Sequence, residues 1–112
     1  MKGKRVSIFL NERDKWQHRP LYLELLRTLG RENVENAFAI RTLAGFTRVE
    51  DMRTKVALLG VSGYQPLIIE FAESIENVER AMTRIAEMTA GKAFTTVDVE
   101  ISPRTVSSRP SS

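Results

Sequence analysis

At 112 residues the chain has room for one hydrophobic core and not for a second independent one. It contains no cysteine and one histidine, which excludes a disulfide scaffold, a thiol nucleophile and a zinc site built from several imidazole or thiolate ligands of one chain; metal held by carboxylates stays open. Seventeen Lys plus Arg against fourteen Asp plus Glu leave a formal charge of +3, scattered along the chain rather than gathered in a block, so the charge by itself is a weak pointer to nucleic acid.

The opening Met1-Lys2-Gly3-Lys4-Arg5 is basic like the start of a signal peptide, but the apolar stretch behind it, Val6 to Leu10, is a strand's length and stops at Asn11-Glu12-Arg13-Asp14. No run approaches the roughly eighteen apolar residues of a membrane helix, so the expectation is a soluble protein, and the lack of cysteine makes the reducing cytoplasm its expected setting. From Arg5 to Asn11, Val6, Ile8 and Leu10 alternate with Ser7 and Phe9, the period of a first strand. After a polar stretch to Arg19, Pro20 suits the first turn of a helix, where its missing N–H costs nothing. Leu21, Tyr22, Leu25, Leu26 and Leu29 then form an apolar stripe at helical spacing, with Gly30 as the expected left-handed C′ residue.

Val34 to Thr42 reads as a second strand, with Phe38 and Ile40 alternating against Ala37, Ala39 and Arg41. A long polar stretch, Ala44 to Lys55, follows; Val56 to Val61 reads as a short returning strand. Ser62-Gly63-Tyr64-Gln65 supplies turn residues before Pro66 opens the apolar strand Leu67 to Ala72. Ser74 is the expected cap of a second helix that turns Val78, Ala81, Met82, Ile85 and Met88 inward and ends at Gly91. Thr95 to Ile101 is the last strand, with Val97, Val99 and Ile101 opposite Thr96, Asp98 and Glu100. The Ser-, Pro- and Arg-rich residues 103–112 read as a disordered tail, leaving residues 1–102 as one domain.

The order β-α-β-β-α-β, with an extra short strand near Leu58, is that of an α+β, ferredoxin-like antiparallel sheet with two helices on one face. The uncovered face is expected to carry Ser7, Phe9, Ile68, Ala72 and Thr96 beside Arg5, Glu70 and Glu100. That is too apolar for a freely solvated surface, and burial against copies of the same chain resolves it.

Three segments can carry chemistry. A connection of about a dozen residues is long for so small a domain, and such loops tend to be functional or disordered. In it Gly45 lets the backbone approach a ligand, Phe46 can pack at the loop base, and Arg48 offers a planar fork for anions; a single glycine is nevertheless no phosphate signature, and a solvated hairpin loop explains the same residues. Gly91-Lys92 is the second segment, although a C-cap glycine followed by a lysine is also what a helix C-terminus prefers. The third holds Trp16 and His18 in a charged loop; Trp16 can anchor that loop, and no spacing fixes a partner for His18 as an acid or base.

Taken together, Trp16-Gln17-His18-Arg19-Pro20-Leu21-Tyr22, Arg41-Thr42-Leu43-Ala44-Gly45-Phe46 and Pro66-Leu67-Ile68-Ile69-Glu70 resemble a PII-like family of unknown function, domain family one-ninety, over most of Lys4 to Ile101. Gly45-Phe46-Thr47-Arg48 is similar to the PII segment Gly-Phe-Gly-Arg that lines a nucleotide cleft, and Gly91-Lys92-Ala93-Phe94 to its Gly-Lys-x-Phe segment, whose lysine meets phosphate. The resemblance implies a homotrimer that binds an adenine nucleotide or related small anion between subunits and meets a partner protein through loop 44–55. It also implies Arg41, Gly45, Phe46, Thr47, Arg48, Gly91 and Lys92 as the ligand-binding set; from composition and spacing, no resident cofactor, no metal and no catalytic residue are expected. Arg104 stands as a candidate C-terminal phosphate contact. Thr47 replaces the second glycine of the PII loop, and Val49 replaces the glutamine that PII uses with magnesium and 2-oxoglutarate, so sensing of that pair is not expected. No tyrosine lies between Thr47 and Lys55, so uridylylation is not expected either.

Alternative readings come from other classes. An RNA-binding ferredoxin-like module needs aromatics on its central strands, and Leu67 to Ala72 offers only Phe71, which is expected in the core. A small oligomeric enzyme would use His18, Tyr22 or Asp14, without a spacing that sets up nucleophile, base and orienting group. A metal-tolerance trimer lacks soft ligands.

Overall fold

In the computed structural model, which describes residues 1–45, 57–58 and 65–102, the first strand is the centre of the architecture. Strand β1 (Lys2–Asn11) pairs antiparallel with β7 (Pro66–Ser74) on one side and with β8 (Phe94–Glu100) on the other. Strand β4 (Ala37–Arg41) lies outside β7, so the four-stranded sheet runs β4-β7-β1-β8. Helix α1 (Leu21–Arg31) connects β1 to β4, and α2 (Ile75–Ile85) connects β7 to β8. The fold is α+β and ferredoxin-like, as the pattern of elements implies.

Alternation of side chains along paired strands decides what the helices cover. Val6, Ile8 and Leu10 stand opposite Phe71, Ile69 and Leu67 on the helix side, where they meet Leu21, Leu25 and Leu29 of α1 and Val78, Ala81 and Ile85 of α2. All of these are buried, and each fully buried Val, Leu, Ile or Phe side chain is worth about 1.5–3 kcal/mol relative to exposure. Helix α2 starts as its sequence suggests, with Ser74 Oγ accepting a hydrogen bond from Asn77 N at 3.2 Å.

The helix ends differ from expectation. Gly30 lies inside α1, which runs on to Arg31, and Asn33 (φ +64°) takes the left-handed position instead, while Val34 N and Glu32 N both reach Leu29 O. Strand β4 accordingly begins at Ala37 rather than Val34, whose side chain is buried in the loop. Helix α2 ends at Ile85; Gly91 (φ +80°) instead closes a later turn in which Lys92 N bonds Thr89 O at 2.9 Å.

The open face also needs correcting at one strand. Ser7, Phe9, Ile68, Ala72, Arg5 and Glu70 belong to it, but the pairing of Val6 with Thr96 and Lys2 with Glu100 puts Thr96 and Glu100 on the helix side. Thr95, Val97 and Val99 take their place, opposite Ser7, Arg5 and Gly3. On β4, the small Ala37 and Ala39 face the helices while Phe38 and Ile40, opposite Glu70 and Ile68, face outward. Phe38, Ile40 and Val97 are 58%, 41% and 47% exposed, an apolar surface across the sheet. The stretch 103–112 lies outside the described residues.

Two expected outcomes follow from this sheet. A Cβ on Gly3 would stand 2.4 Å from the carbonyl oxygen of Glu73 and 2.5 Å from Ile101 Cδ1, and backbone cannot swing aside as a side chain can. Gly3→Ala therefore lowers stability by about 1–3 kcal/mol, read as a fall in urea midpoint at unchanged slope. Beyond the helices' cover, Lys4 Nζ donates to Asp98 Oδ1 at 2.8 Å, and this bond and charge hold the Asp98 carboxyl below its usual value of 3.8. A depressed carboxyl contributes stability above its unfolded pKa and loses it as pH falls through the lower folded one, so the window lies below pH 3.8. In a carbon-detected NMR titration the Asp98 midpoint rises toward the ordinary value in Lys4→Met; an unmoved midpoint would remove the pairing.

Candidate functional site

The end of β1 is tied into a tight turn. Asp14 N donates to Asn11 O at 3.0 Å, Arg13 N to Asn11 Oδ1 at 2.9 Å, and Asn11 N to Asp14 Oδ2 at 2.9 Å, so short polar side chains satisfy the backbone where the sheet ladder stops. Asp14 O in turn accepts the N–H of Leu21, the first residue of α1, at 2.8 Å. Between them the chain forms a small hairpin that a polar loop did not foretell: β2 (Lys15–Trp16) pairs with β3 (Arg19–Pro20) through Gln17 and His18. Both turn residues have positive φ, +50° and +69°, the backbone of a two-residue hairpin turn usually filled by Asn and Gly. Trp16 packs against the core, whereas His18 is exposed at the tip.

Two cations predicted for ligand binding reach this turn from distant parts of the chain. Lys92 Nζ lies 2.6 Å from Asp14 Oδ2, with both side chains 26% exposed. Arg41, at the end of β4, donates Nε to Glu12 Oε1 and Nη2 to Glu12 Oε2, both at 2.8 Å, a two-pronged fork on the carboxylate. The same region is braced from β7: Glu12 N donates to Gln65 O at 2.8 Å, and buried Gln65 donates Nε2 to Thr42 O. Thr42 Oγ1 closes the brace on Pro66 O at 2.7 Å. Beside the turn opens a cavity of about 490 Å³ lined by Glu12, Arg13, Asp14, Lys15, Pro20 and Tyr22.

Gly45 belongs to a short strand, β5 (Ala44–Gly45), paired with β6 (Ala57–Leu58), and this ribbon begins two residues after Thr42. Phe46, Thr47 and Arg48 lie outside the described residues, as does Arg104. Of the predicted set, then, Arg41 and Lys92 converge on one four-residue turn, Gly91 supplies the backbone bend before Lys92, and Gly45 pairs with Ala57 in the short ribbon. Sequence reasoning missed Glu12 and Asp14 as the partners of these cations. Their separations of 29 and 78 residues leave no local pattern; the available signal was the Asn11-x-x-Asp14 spacing of a side-chain-closed turn. No cluster of three or more His, Cys, Asp or Glu among the described residues is arranged to hold a metal ion. Phe71 is buried, so it presents no stacking surface for a base.

Residues 3–101 match the DUF190 family, described as "Uncharacterized ACR, COG1993". The UPF0166 protein of Aquifex aeolicus is 27% identical over 101 residues, which cover 90% of this chain and 94% of that one. Among solved structures, the CPII protein of Thiomonas intermedia bound to ADP and bicarbonate superposes with a TM-score of 0.63 at 14% identity, covering 90% of this chain and 89% of that one. The GlnK–ATP complex of Bacillus subtilis superposes with a TM-score of 0.51 at 13% identity, covering 88% and 82%. At these identities the likeness establishes a PII-like fold.

The Asp14 carboxylate holds the backbone N–H of Asn11 and an ammonium, whereas Lys92 contributes one partly exposed ion pair. Asp14→Ala is therefore expected to cost about 1–3 kcal/mol, and Lys92→Met less than about 1 kcal/mol. Urea denaturation of the two variants side by side checks the order; equal losses would mean that the turn does not depend on the carboxylate's backbone bond.

Proposed function

We propose, from the premise that this chain belongs to the DUF190 family and has a PII-like fold, that it is a sensor whose subunits assemble around small-anion sites. The observation that carries this reading is the convergence of Arg41 and Lys92 on the Asn11–Asp14 turn, next to the root of the long loop. A planar guanidinium fork and an ammonium suit the two kinds of phosphate contact, bidentate and point-charge. ADP and ATP in the complexes of CPII and GlnK make an adenine nucleotide the first ligand to test. In the assembled sensor Gly45, Phe46, Thr47, Arg48 and Gly91 complete the site, and loop 44–55 carries the signal to a partner protein.

Assembly has its own support. Phe38, Ile40 and Val97, with Phe9, Ile68 and Val99, make one sheet face apolar beyond what water tolerates cheaply, and copies of the chain are the covering that needs no other component. We propose a trimer, with the ligand in the seams between subunits.

Calorimetric titration with ADP and ATP tests the ligand, and light scattering tests assembly. The expected results are saturable binding, weakened about tenfold or more by Arg41→Met and by Lys92→Met through loss of a charge-assisted bond, and a mass three times that of the chain. Phe38→Asp is expected to release monomers. Absence of binding at millimolar nucleotide, or a wild-type monomer in dilute solution, would overturn the corresponding half of the proposal.

A further inference from the structure

Both cations of the candidate site are already engaged by carboxylates of their own chain. Glu12 occupies the Nε and Nη2 edge of Arg41, the edge with which a guanidinium grips a phosphate or carboxylate by two bonds. Asp14 holds the Lys92 ammonium at 2.6 Å. The two carboxylates are two residues apart in one turn, and the oxygen of Asp14 that meets Lys92 is also the one that accepts Asn11 N. Main-chain atoms of the same residue hold the N-terminus of α1 through Leu21 N, and the Trp16 hairpin starts at the next residue.

We infer that the Glu12–Asp14 turn is a latch: an internal anion that competes with the ligand for Arg41 and Lys92 and is displaced when the ligand binds, loosening the hairpin of Lys15–Pro20. This rests on the reading of Arg41 and Lys92 as ligand cations and adds to it a regulatory element. An incoming anion gains the full charge and fork of these residues only by replacing Glu12 and Asp14, so the apparent affinity is reduced by the strength of the internal pairs. A carboxylate released from Lys92 has lost one of the two donors that fix it, and the hairpin beside it rests on a turn whose residues Gln17 and His18 hold left-handed backbone at a cost. Occupancy is thereby relayed to a surface separate from the long loop.

The test uses the full chain, ADP as titrant, and variants that keep a hydrogen-bond acceptor while removing charge. Asp14→Asn and Glu12→Gln are each expected to tighten ADP binding about threefold, the size of a partly exposed ion pair. The gain from Asp14→Asn disappears in a Lys92→Met background, and that from Glu12→Gln in an Arg41→Met background, because a latch acts through its partner. Trp16, the only tryptophan, reports the hairpin: ADP shifts its emission in the wild type, and Asp14→Asn shifts it the same way without ligand. Thermal melts of each variant establish that it is folded. Unchanged or weaker binding by both neutralised variants, while Arg41→Met and Lys92→Met still impair the wild type, overturns the latch and leaves the ligand site standing. A gain that persists in the Lys92→Met background is a general field effect and also overturns it. If neither cation matters to binding, the site itself is refuted and the latch falls with it.

Discussion

The antiparallel register between β1 and β7 is the constraint on which everything else in this molecule rests. Setting Val6 against Phe71 and Ile8 against Ile69 commits every second residue of both strands to the helices and the remainder to the opposite face. A slip of one residue would turn one of the two strands over, sending either Arg5 and Ser7 or Glu70 into the core, a cost of several kilocalories per mole for each unpaired charge or polar group, so the alternative is not populated. The same register places Asn11 at the end of the ladder opposite Pro66, where the pairing stops and the turn that gathers Arg41 and Lys92 begins. Core, open face and candidate site are thus three consequences of one alignment.

The site is built from exhausted backbone. Where β1 runs out of ladder partners, Asn11 and Asp14 close its peptide groups with their own side chains, and the carboxylates left over at Glu12 and Asp14 attract the two cations that the edges of the sheet bring near. Polar groups that had to be satisfied for stability are in this way the groups that preorganise the cations. Gln65, buried and bonded to Thr42 O, plays the same double part on the other side, fixing the end of β4 to the start of β7.

Much of the fold was legible because its signals are local. Period-two alternation at Val6, Ile8 and Leu10, the leucine stripe of α1 and the Ser74 cap each announce an element within a few residues. What was not legible depends on pairing between distant segments. Whether Val97 or Thr96 faces the helices is undecidable from β8 alone, since both alternating sets are compatible with a strand; only its pairing with β1 settles the matter. Phe38 and Ile40 show the same limit, for large apolar residues suggest the core until their partners Glu70 and Ile68 reveal the open face. At the candidate site, Arg41 and Lys92 were identified through family resemblance, but their carboxylate partners are long-range contacts with no signature beyond the turn itself.

The central position of β1 has a consequence for how the chain reaches its native state. This strand is synthesised before either of its neighbours, and Lys4 meets Asp98 at a separation of 94 positions along the chain. Its backbone must wait with one edge bare until residues 66–74 exist and with the other bare until residues 94–100 follow, so the sheet cannot close before its last strand has been made. Distant pairings of this kind make for slow folding, and during that interval an apolar strand with open edges is what a chaperone would be called on to shield.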